Sequence, residues 1–453
     1  MLVSDAFIAL TVVVSSCAGA LAGFAAGLVP GLHMNNFASA IAACAGAYAT
    51  GAVHASGFVL PCILCAALTG HMFASAVGGT YLGVPDGDSV SVLPAHRLAR
   101  AGLGPVAVRS SAAGTVAGVL MASLVLLPVS IILGEPLAGY RAIQTFMLPL
   151  IVTMAALLLA STVPRCASAR VRARALVTSL TFFLLSGCLG LAVLHSYYSA
   201  SAVPEVPWVA PSTMSRSALL LPLFAGLFGL PNLVAALGSP VPSAVPRSEC
   251  PHCSPVPRRS DLALSLLAGT MVGWLPGMTS GTAAATLSPD DGGFHPGEGV
   301  ERSARFIWRY AATTSAGAVM SVGALLVISR ARSGTMDAVS LYMDGAQGGM
   351  SSMQIACVLV SSMLVSAALC HWLMRSLEPR LAGDGARRLL SSRWTSLSCI
   401  AFLCALCLAL TGLRGMLLLC AACLLGVLTM RAGVRRVCLM GCMMVPIAAM
   451  YMA

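Results

Sequence analysis

The sequence contains no lysine and few charged residues of any kind. Only 9% of its 453 residues are charged, and all 26 basic residues are arginine. An average soluble domain carries about 25% charged residues, so this composition excludes an ordinary soluble protein. With 58% hydrophobic residues and a mean hydropathy of +0.89, the chain has the composition of a multi-pass membrane protein.

Several motifs of catalytic and binding sites are also missing. The sequence has no Walker motif, no Gly-x-Ser-x-Gly and no His-Glu-x-x-His, so neither ATP hydrolysis nor hydrolase activity is predicted, and the chain is not expected to be an enzyme. No basic run is interleaved with aromatic residues, as binding of nucleic acid would require. Cys250 and Cys253 supply only half of a four-ligand zinc site. We expect no cofactor, apart from a coupling Na⁺ or H⁺.

The arginines cluster in four stretches: Arg97 to Arg109, Arg165 to Arg174, Arg247 to Arg259, and Arg375 to Arg393. Short cytoplasmic loops of membrane proteins are rich in arginine. We therefore place the first three stretches in the cytoplasm and the protein in the cell membrane. The segment His195 to Trp208 then faces outward.

Apolar segments of about 20 residues, the length that crosses a bilayer, follow one another along the chain. They predict an all-α, polytopic transmembrane helix bundle with 11–13 spans. Residues 1–238 form a first transmembrane half, and residues 261–453 form a second half with additional C-terminal helices. The Pro-rich segment 239–260 is predicted to be an extended cytoplasmic linker. The N-terminus lacks the positive charge of a cleavable signal and is predicted to be the first span.

One motif occurs twice within these apolar segments. Gly-x-x-x-Gly-x-x-Pro-Gly stands at Gly23 to Gly31 and returns 246 residues later at Gly269 to Gly277. A helix in lipid does not tolerate this sequence, because every backbone polar group there must be satisfied internally. Matching broken or re-entrant helices in two internal repeats are the best sequence indication of a transporter's binding site.

The polar residues at the two motifs are the candidate substrate-binding residues. A helix that restarts after Pro-Gly presents free N–H groups and a partial positive charge, which suit a carboxylate or a phosphate. Asparagine, serine and threonine side chains add uncharged donors and acceptors. The candidates are Gly27, Pro30, Gly31, His33, Asn35 and Asn36 at the first motif, and Gly273, Pro276, Gly277, Thr279, Ser280 and Thr282 at the second.

A purely structural explanation is kept open for each of these features. The glycines and prolines are also explained by close helix packing or a kink. His33 is either a proton relay or a neutral hydrogen-bonding residue. Asp86 and Asp88 are either Na⁺ ligands or a gate, or they form an ordinary turn. Arg97 either attracts an anion or only sets the topology.

Four patches, in this order along the chain, resemble one family. They are GLVPGLHMNN, GVPDGDSVSVLPAHRLARAG, GWLPGMTSGTAAAT and ARSG at Ala331 to Gly334. Together they are similar to the large membrane subunit of tripartite tricarboxylate transporters, in its archaeal stand-alone form. The resemblance implies an integral permease with internal repeats that moves a small organic anion by ion-coupled secondary transport. It also implies two partners, a small membrane subunit and an extracytoplasmic binding protein.

The chain departs from that family in two respects. It is shorter, and His33, Asn35 and Asn36 replace a run of small residues after the first Pro-Gly. The distance from the Pro-Gly motif to the next arginine patch is also shorter in the second half, which predicts that the repeat is partial and that one or two spans are missing there.

Two other functions remain open beside uptake of an organic anion. One is translocation of a polyprenyl-phosphate lipid carrier, because PGMTSGT at Pro276 to Thr282 also fits the pattern of such translocases. A site that opens laterally to lipid would favour the lipid, and an enclosed cavity would favour the soluble anion. The other is a membrane scaffold that transports nothing, in which the polar residues would face no cavity.

Overall fold

The regular secondary structure of the described residues is entirely helical, which confirms the predicted all-α class. The computed structural model describes residues 2–29, 32–35, 37–38, 40–41, 57–81, 92–163, 168–198, 220–237, 257–275, 278–281, 283, 300–343, 350–381 and 392–452. The helices of the first half are α1 (Leu2–Gly27), α2 (Val59–Tyr81), α3 (Val92–Arg100), α4 (Gly104–Leu133), α5 (Gly139–Thr145), α6 (Met147–Ser161), α7 (Ala169–Tyr198), α8 (Leu220–Phe224) and α9 (Leu230–Leu237). The second half contains α10 (Arg259–Trp274), α11 (Val300–Ile328), α12 (Gly334–Leu341), α13 (Ser352–Leu381), α14 (Arg393–Arg431) and α15 (Gly441–Met452).

The chain is a multi-pass membrane protein. Within the described residues, seven helices are long and apolar enough to cross a membrane, and the bent pair α5 and α6, at 67°, makes an eighth if it is one span. These numbers are below the predicted 11–13 because α10 and the apolar helices at Leu221–Leu237 and Arg436–Met452 have only 16 or 17 residues.

Helix α14 contains two limbs, which meet at Gly412. Gly412 has φ of 63°, a left-handed conformation inside otherwise helical backbone that glycine adopts without steric cost. Cys404 of the first limb interacts with Cys420 of the second, although a continuous helix would separate them by about 24 Å. The two limbs therefore fold back on each other.

The glycines of the two motifs pack helices together in the same register in both halves. Residue n of α1 faces residue n+44 of α2, and residue n of α10 faces residue n+44 of α11. The contacts are tight: a Cβ atom on Gly23 would lie 2.0 Å from the Ala67 carbonyl oxygen. The facing pairs are Gly19–Ile63, Gly23–Ala67 and Gly27–His71 in the first half, and Ser265–Arg309, Gly269–Thr313 and Gly273–Gly317 in the second.

In each half, the third long helix packs against a helix of the other half. Helix α4 lies against α11, and its counterpart α13 lies against α2. The contacts correspond position by position: Gly114–Trp308 and Gly118–Ala312 join α4 to α11, and Ser362–Cys62 and Ser366–Ala66 join α13 to α2. Residues 62 and 66 differ from 308 and 312 by the same 246 positions that separate the two motifs. The two halves are thus interlocked repeats of three helices.

The repeat continues without a gap through α2 and α11. This contradicts the prediction that one or two spans are missing from the second half. The first arginines after the two Pro-Gly motifs, Arg97 and Arg302, do not occupy equivalent places, because Arg302 lies at the start of α11, the counterpart of α2. The prediction of one or two missing spans was therefore wrong. The boundary at 239–260 stays a prediction, since most of that segment lies outside the described residues.

The two repeats point in opposite directions. Gly104, at the start of α4, lies against Tyr81, at the end of α2. Arg109, near the start of α4, pairs with Glu378, near the end of α13, at 2.9 Å. Helices α1, α2 and α13 therefore run one way and α4, α10 and α11 run the other. This is an inverted-topology repeat, a common architecture of secondary transporters.

Arginines are unevenly distributed between the two ends of this bundle. The end that holds the starts of α4, α10 and α11 carries the clusters around Arg100, Arg259 and Arg305. The opposite end, where α4 and α11 finish, carries Arg141, Arg330 and Arg332. The positive-inside rule assigns the arginine-rich end to the cytoplasm.

Labelling of single cysteines tests this orientation. In a variant without reactive native cysteines, Arg259→Cys and Arg172→Cys should react with a membrane-impermeant maleimide only from the cytoplasmic side, because loops rich in arginine resist translocation. Arg141→Cys should react only from outside. The opposite pattern for Arg259 and Arg141 would invert the topology.

Candidate functional site

Helix is interrupted at equivalent places in the two repeats. Helix α1 ends at Gly27 and α10 ends at Trp274. Helical hydrogen bonding resumes with Phe37 N–H donating to the His33 carbonyl at 3.2 Å, and with Ala283 N–H donating to the Thr279 carbonyl at 2.9 Å. Both donors and both acceptors are related by 246 residues. The predicted break residues Pro30, Gly31, Pro276 and Gly277 lie outside the described residues.

Both interruptions occur at mid-depth of the neighbouring helix. Gly27 faces His71, one residue past the middle of α2, and Gly273 faces Gly317, three residues past the middle of α11. At 1.5 Å per residue these positions lie within about 5 Å of the helix centres. A Cβ on Gly27 would lie 2.6 Å from the His71 carbonyl oxygen, and one on Gly273 would lie 2.4 Å from Met320 Cβ. The glycines thus fix how closely each interrupted helix approaches its partner.

His71, which the sequence analysis missed, satisfies part of the first interruption. Its side chain is buried in α2, and Nε2 lies 2.8 Å from the Leu32 carbonyl oxygen. Because a carbonyl can only accept, Nε2 carries the proton and donates it. The bond satisfies a backbone group that the broken helix would leave exposed to the membrane interior. An ionisable residue within an apolar run is a functional candidate by default, and this signal could have identified His71.

Asn35 connects the first interruption to helix α12. Its side-chain Oδ1 accepts hydrogen bonds from the backbone N–H and the hydroxyl of Thr335, both at 3.2 Å. Thr335 is fully buried and follows Ser333, whose hydroxyl accepts from Met336 N–H at the start of α12. Asn35 thus satisfies two donors at a helix start that is 300 residues away in sequence.

His33 is held between its own backbone and an aromatic side chain of α8. Its Nδ1 accepts a hydrogen bond from Asn35 N–H at 3.1 Å, which requires the unprotonated form of that nitrogen. The ring stacks on Phe224 with centroids 5.9 Å apart and planes at 18°. This geometry favours the neutral imidazole over the charged form. Phe224 carries no motif, and the sequence offered no signal for it.

The second interruption has polar residues at its restart as well. Thr279 and Ser280 are half-buried. Trp274, the last residue of α10, is almost fully buried, and its ring is within reach of Gly323 on α11. Met278 and Ala283 belong to the same continuous apolar core as Met34 and Ala38. The residues that follow the two interruptions therefore adjoin one core.

The remaining predicted residues are not placed at this site. Arg97 is exposed on α3, and desolvation lowers its pKa from the ordinary value of arginine. Asn36, Asp86, Asp88 and Thr282 lie outside the described residues. Among the residues that the structure describes, no group of three or more His, Cys, Asp or Glu side chains could hold a metal ion.

Inverted repeats, each with a helix that stops at mid-depth, define a class of protein: a multi-pass membrane transporter. The family follows from comparison with known sequences. A sequence model of the Tripartite tricarboxylate transporter TctA family matches residues 13–441, nearly the whole chain, and the chain belongs to that family. No curated protein and no solved structure gives a match.

Proposed function

We propose that the chain is a secondary transporter that carries a small carboxylate anion, driven by Na⁺ or H⁺, through a site between the two helix interruptions. The observation that carries the proposal is the equivalence of the two interruptions. Each lies at mid-depth of its partner helix, at positions separated by 246 residues, in repeats that run in opposite directions. Family membership supports an organic anion as the substrate class.

The first interruption supplies groups suited to an anion. A helix restarts near Met34, and the partial positive charge at its N-terminus attracts negative charge. His33 and Asn35 are ordered there by contacts with Phe224 and Thr335. A binding group whose position is already set loses less entropy when the ligand arrives. Thr279 and Ser280 at the second interruption supply further hydroxyl donors for an anion.

The exchanged helices α4 and α13 provide a route for alternating access. The two halves of an inverted repeat are related by a pseudo-two-fold axis in the membrane plane, and alternating access moves one repeat against the other. Because α4 packs on α11 and α13 packs on α2, a movement of one half is transmitted to the other. The Arg109–Glu378 pair lies at the arginine-rich end of this contact and is proposed to open when that end opens.

The family is named for a tripartite system, so we include two partners in the proposal. They are a small membrane subunit and an extracytoplasmic binding protein. Transport by the purified chain alone would show that neither is required for movement across the membrane.

Reconstituted uptake tests the proposed function. Purified protein in liposomes should accumulate radiolabelled succinate or citrate when an inward Na⁺ or proton gradient is imposed, because the gradient supplies the driving force. Protein-free liposomes are the control. Thermal stabilisation of the purified protein by a polyprenyl phosphate, with none by carboxylates and no uptake, would replace the proposal by lipid translocation. No response to either ligand class would favour a scaffold.

A further inference from the structure

Arg332 forms a contact that the transport site described above does not use. It lies in the connector between α11 and α12, and its guanidinium carbon is 5.5 Å from the centroid of the Tyr140 ring. One Nη donates a hydrogen bond to the Tyr140 hydroxyl. Tyr140 is buried on α5 and lies close to Tyr451 of α15. Two segments that are distant in sequence, α5 and α15, thus meet at this arginine.

The part of the chain that the structure describes supplies no counter-ion for Arg332. Among the described residues, no carboxylate lies within ion-pair distance of it, and its buried Nε atom has no hydrogen-bond partner. The neighbouring Glu135 is paired with Arg141 at 3.1 Å. A partly buried cation without a counter-ion is costly in a membrane protein. The cost is compensated if an anion binds there.

The position of Arg332 is as unusual as its charge. It lies at the end of the bundle that carries few arginines, where topology gives no reason for a positive residue. Thr335, which donates to Asn35, is three positions further along the chain, and three positions span at most about 10 Å. Arg332 therefore lies within about 10 Å of the residue that contacts the first interruption.

We propose that Arg332 is the docking residue for the substrate carboxylate on the extracytoplasmic face, ahead of the site at Asn35. A guanidinium suits this role because its planar donors match the two oxygens of a carboxylate. The Tyr140 hydroxyl is a neutral acceptor, whereas a carboxylate carries a full negative charge and can accept two parallel hydrogen bonds from a guanidinium. The substrate therefore replaces Tyr140 as the partner of that Nη. This inference names the first substrate contact of the transport proposed above and rests on it.

Chemical modification tests docking without requiring transport. Phenylglyoxal modifies accessible arginines, and peptide mass spectrometry of the full-length protein reports each position separately. Succinate is expected to slow the modification of Arg332 and to leave that of Arg141 unchanged. Arg141 is the matched control, since it lies at the same end and is paired with a protein carboxylate. Equal modification of Arg332 with and without succinate would overturn the docking site.

Uptake kinetics give a second readout. Arg332→Gln removes the charge and should raise KM for succinate about ten- to a hundred-fold, the effect of losing a charge-assisted contact, with Vmax nearly unchanged. Arg332→Lys restores the charge and should recover part of the affinity. Arg141→Gln should have the wild-type KM. A purely structural role would instead lower the thermal stability and Vmax of Arg332→Gln, and lysine would not restore them.

The two experiments separate this inference from the proposed function. If succinate protects Arg332 but no gradient drives uptake, transport is wrong and docking stands. If uptake proceeds without protection of Arg332 and with the wild-type KM in Arg332→Gln, docking is wrong and transport stands.

Discussion

Replacing Asn35 by aspartate is expected to abolish carboxylate uptake while the protein still folds. Aspartate keeps the side-chain oxygen that accepts from the Thr335 N–H and hydroxyl, so the connection to α12 is retained. It adds a negative charge beside the proposed anion site. At a separation of about 5 Å and an effective dielectric of about 20, the repulsion is about 3 kcal/mol, or more than a hundred-fold in affinity.

Two further variants make this experiment interpretable. Asn35→Ala leaves two donors of a buried residue without an acceptor, which costs about 1–3 kcal/mol of stability, so its loss of uptake would be ambiguous. Asn232→Asp is the matched control. Asn232 is a buried asparagine whose oxygen accepts from Arg436, and its aspartate variant should retain both folding and uptake. Normal uptake by Asn35→Asp would exclude the first interruption as the substrate site.

Replacing Gly23 by leucine is expected to prevent the first repeat from assembling. A Cβ there would lie 2.0 Å from the Ala67 carbonyl oxygen and 2.5 Å from its Cα. Because both are backbone atoms, no side-chain movement relieves the contact, and α1 must separate from α2. Overpacking of a core usually costs about 1–3 kcal/mol, and a clash with rigid backbone should reach or exceed the upper end of that range.

The measurements are expression in the membrane and thermal stability in detergent. Ala25→Leu is the control, because Ala25 lies two residues away on an exposed face of α1 and should tolerate the larger side chain. Ala67→Gly should not rescue Gly23→Leu, since the clashing atoms remain. A stable, monodisperse Gly23→Leu protein would show that the helices do not pack as described.

The identity of the protein as a helical membrane protein follows from its composition alone. In a bilayer, charged residues are costly and every backbone polar group must be hydrogen-bonded within the protein. A chain with 9% charged residues and long apolar segments is therefore expected to form transmembrane helices. The two Pro-Gly motifs also predict the interruptions, because proline and the glycines act locally on the helix that contains them. The helices that precede the two interruptions end at Gly27 and Trp274, next to the predicted break residues.

What each interruption contacts was decided only by the tertiary structure. Asn35 meets Thr335 across 300 residues, the His71 side chain meets the Leu32 carbonyl, and Tyr140 meets Arg332 across 192 residues. Hydropathy and motif spacing describe how one segment relates to the membrane and to its own neighbours in sequence. They carry no information on which distant segment packs against it. The exchange of α4 and α13 between the repeats, and the position of Arg332 beside Tyr140, arise from such packing and were therefore not predictable from the sequence.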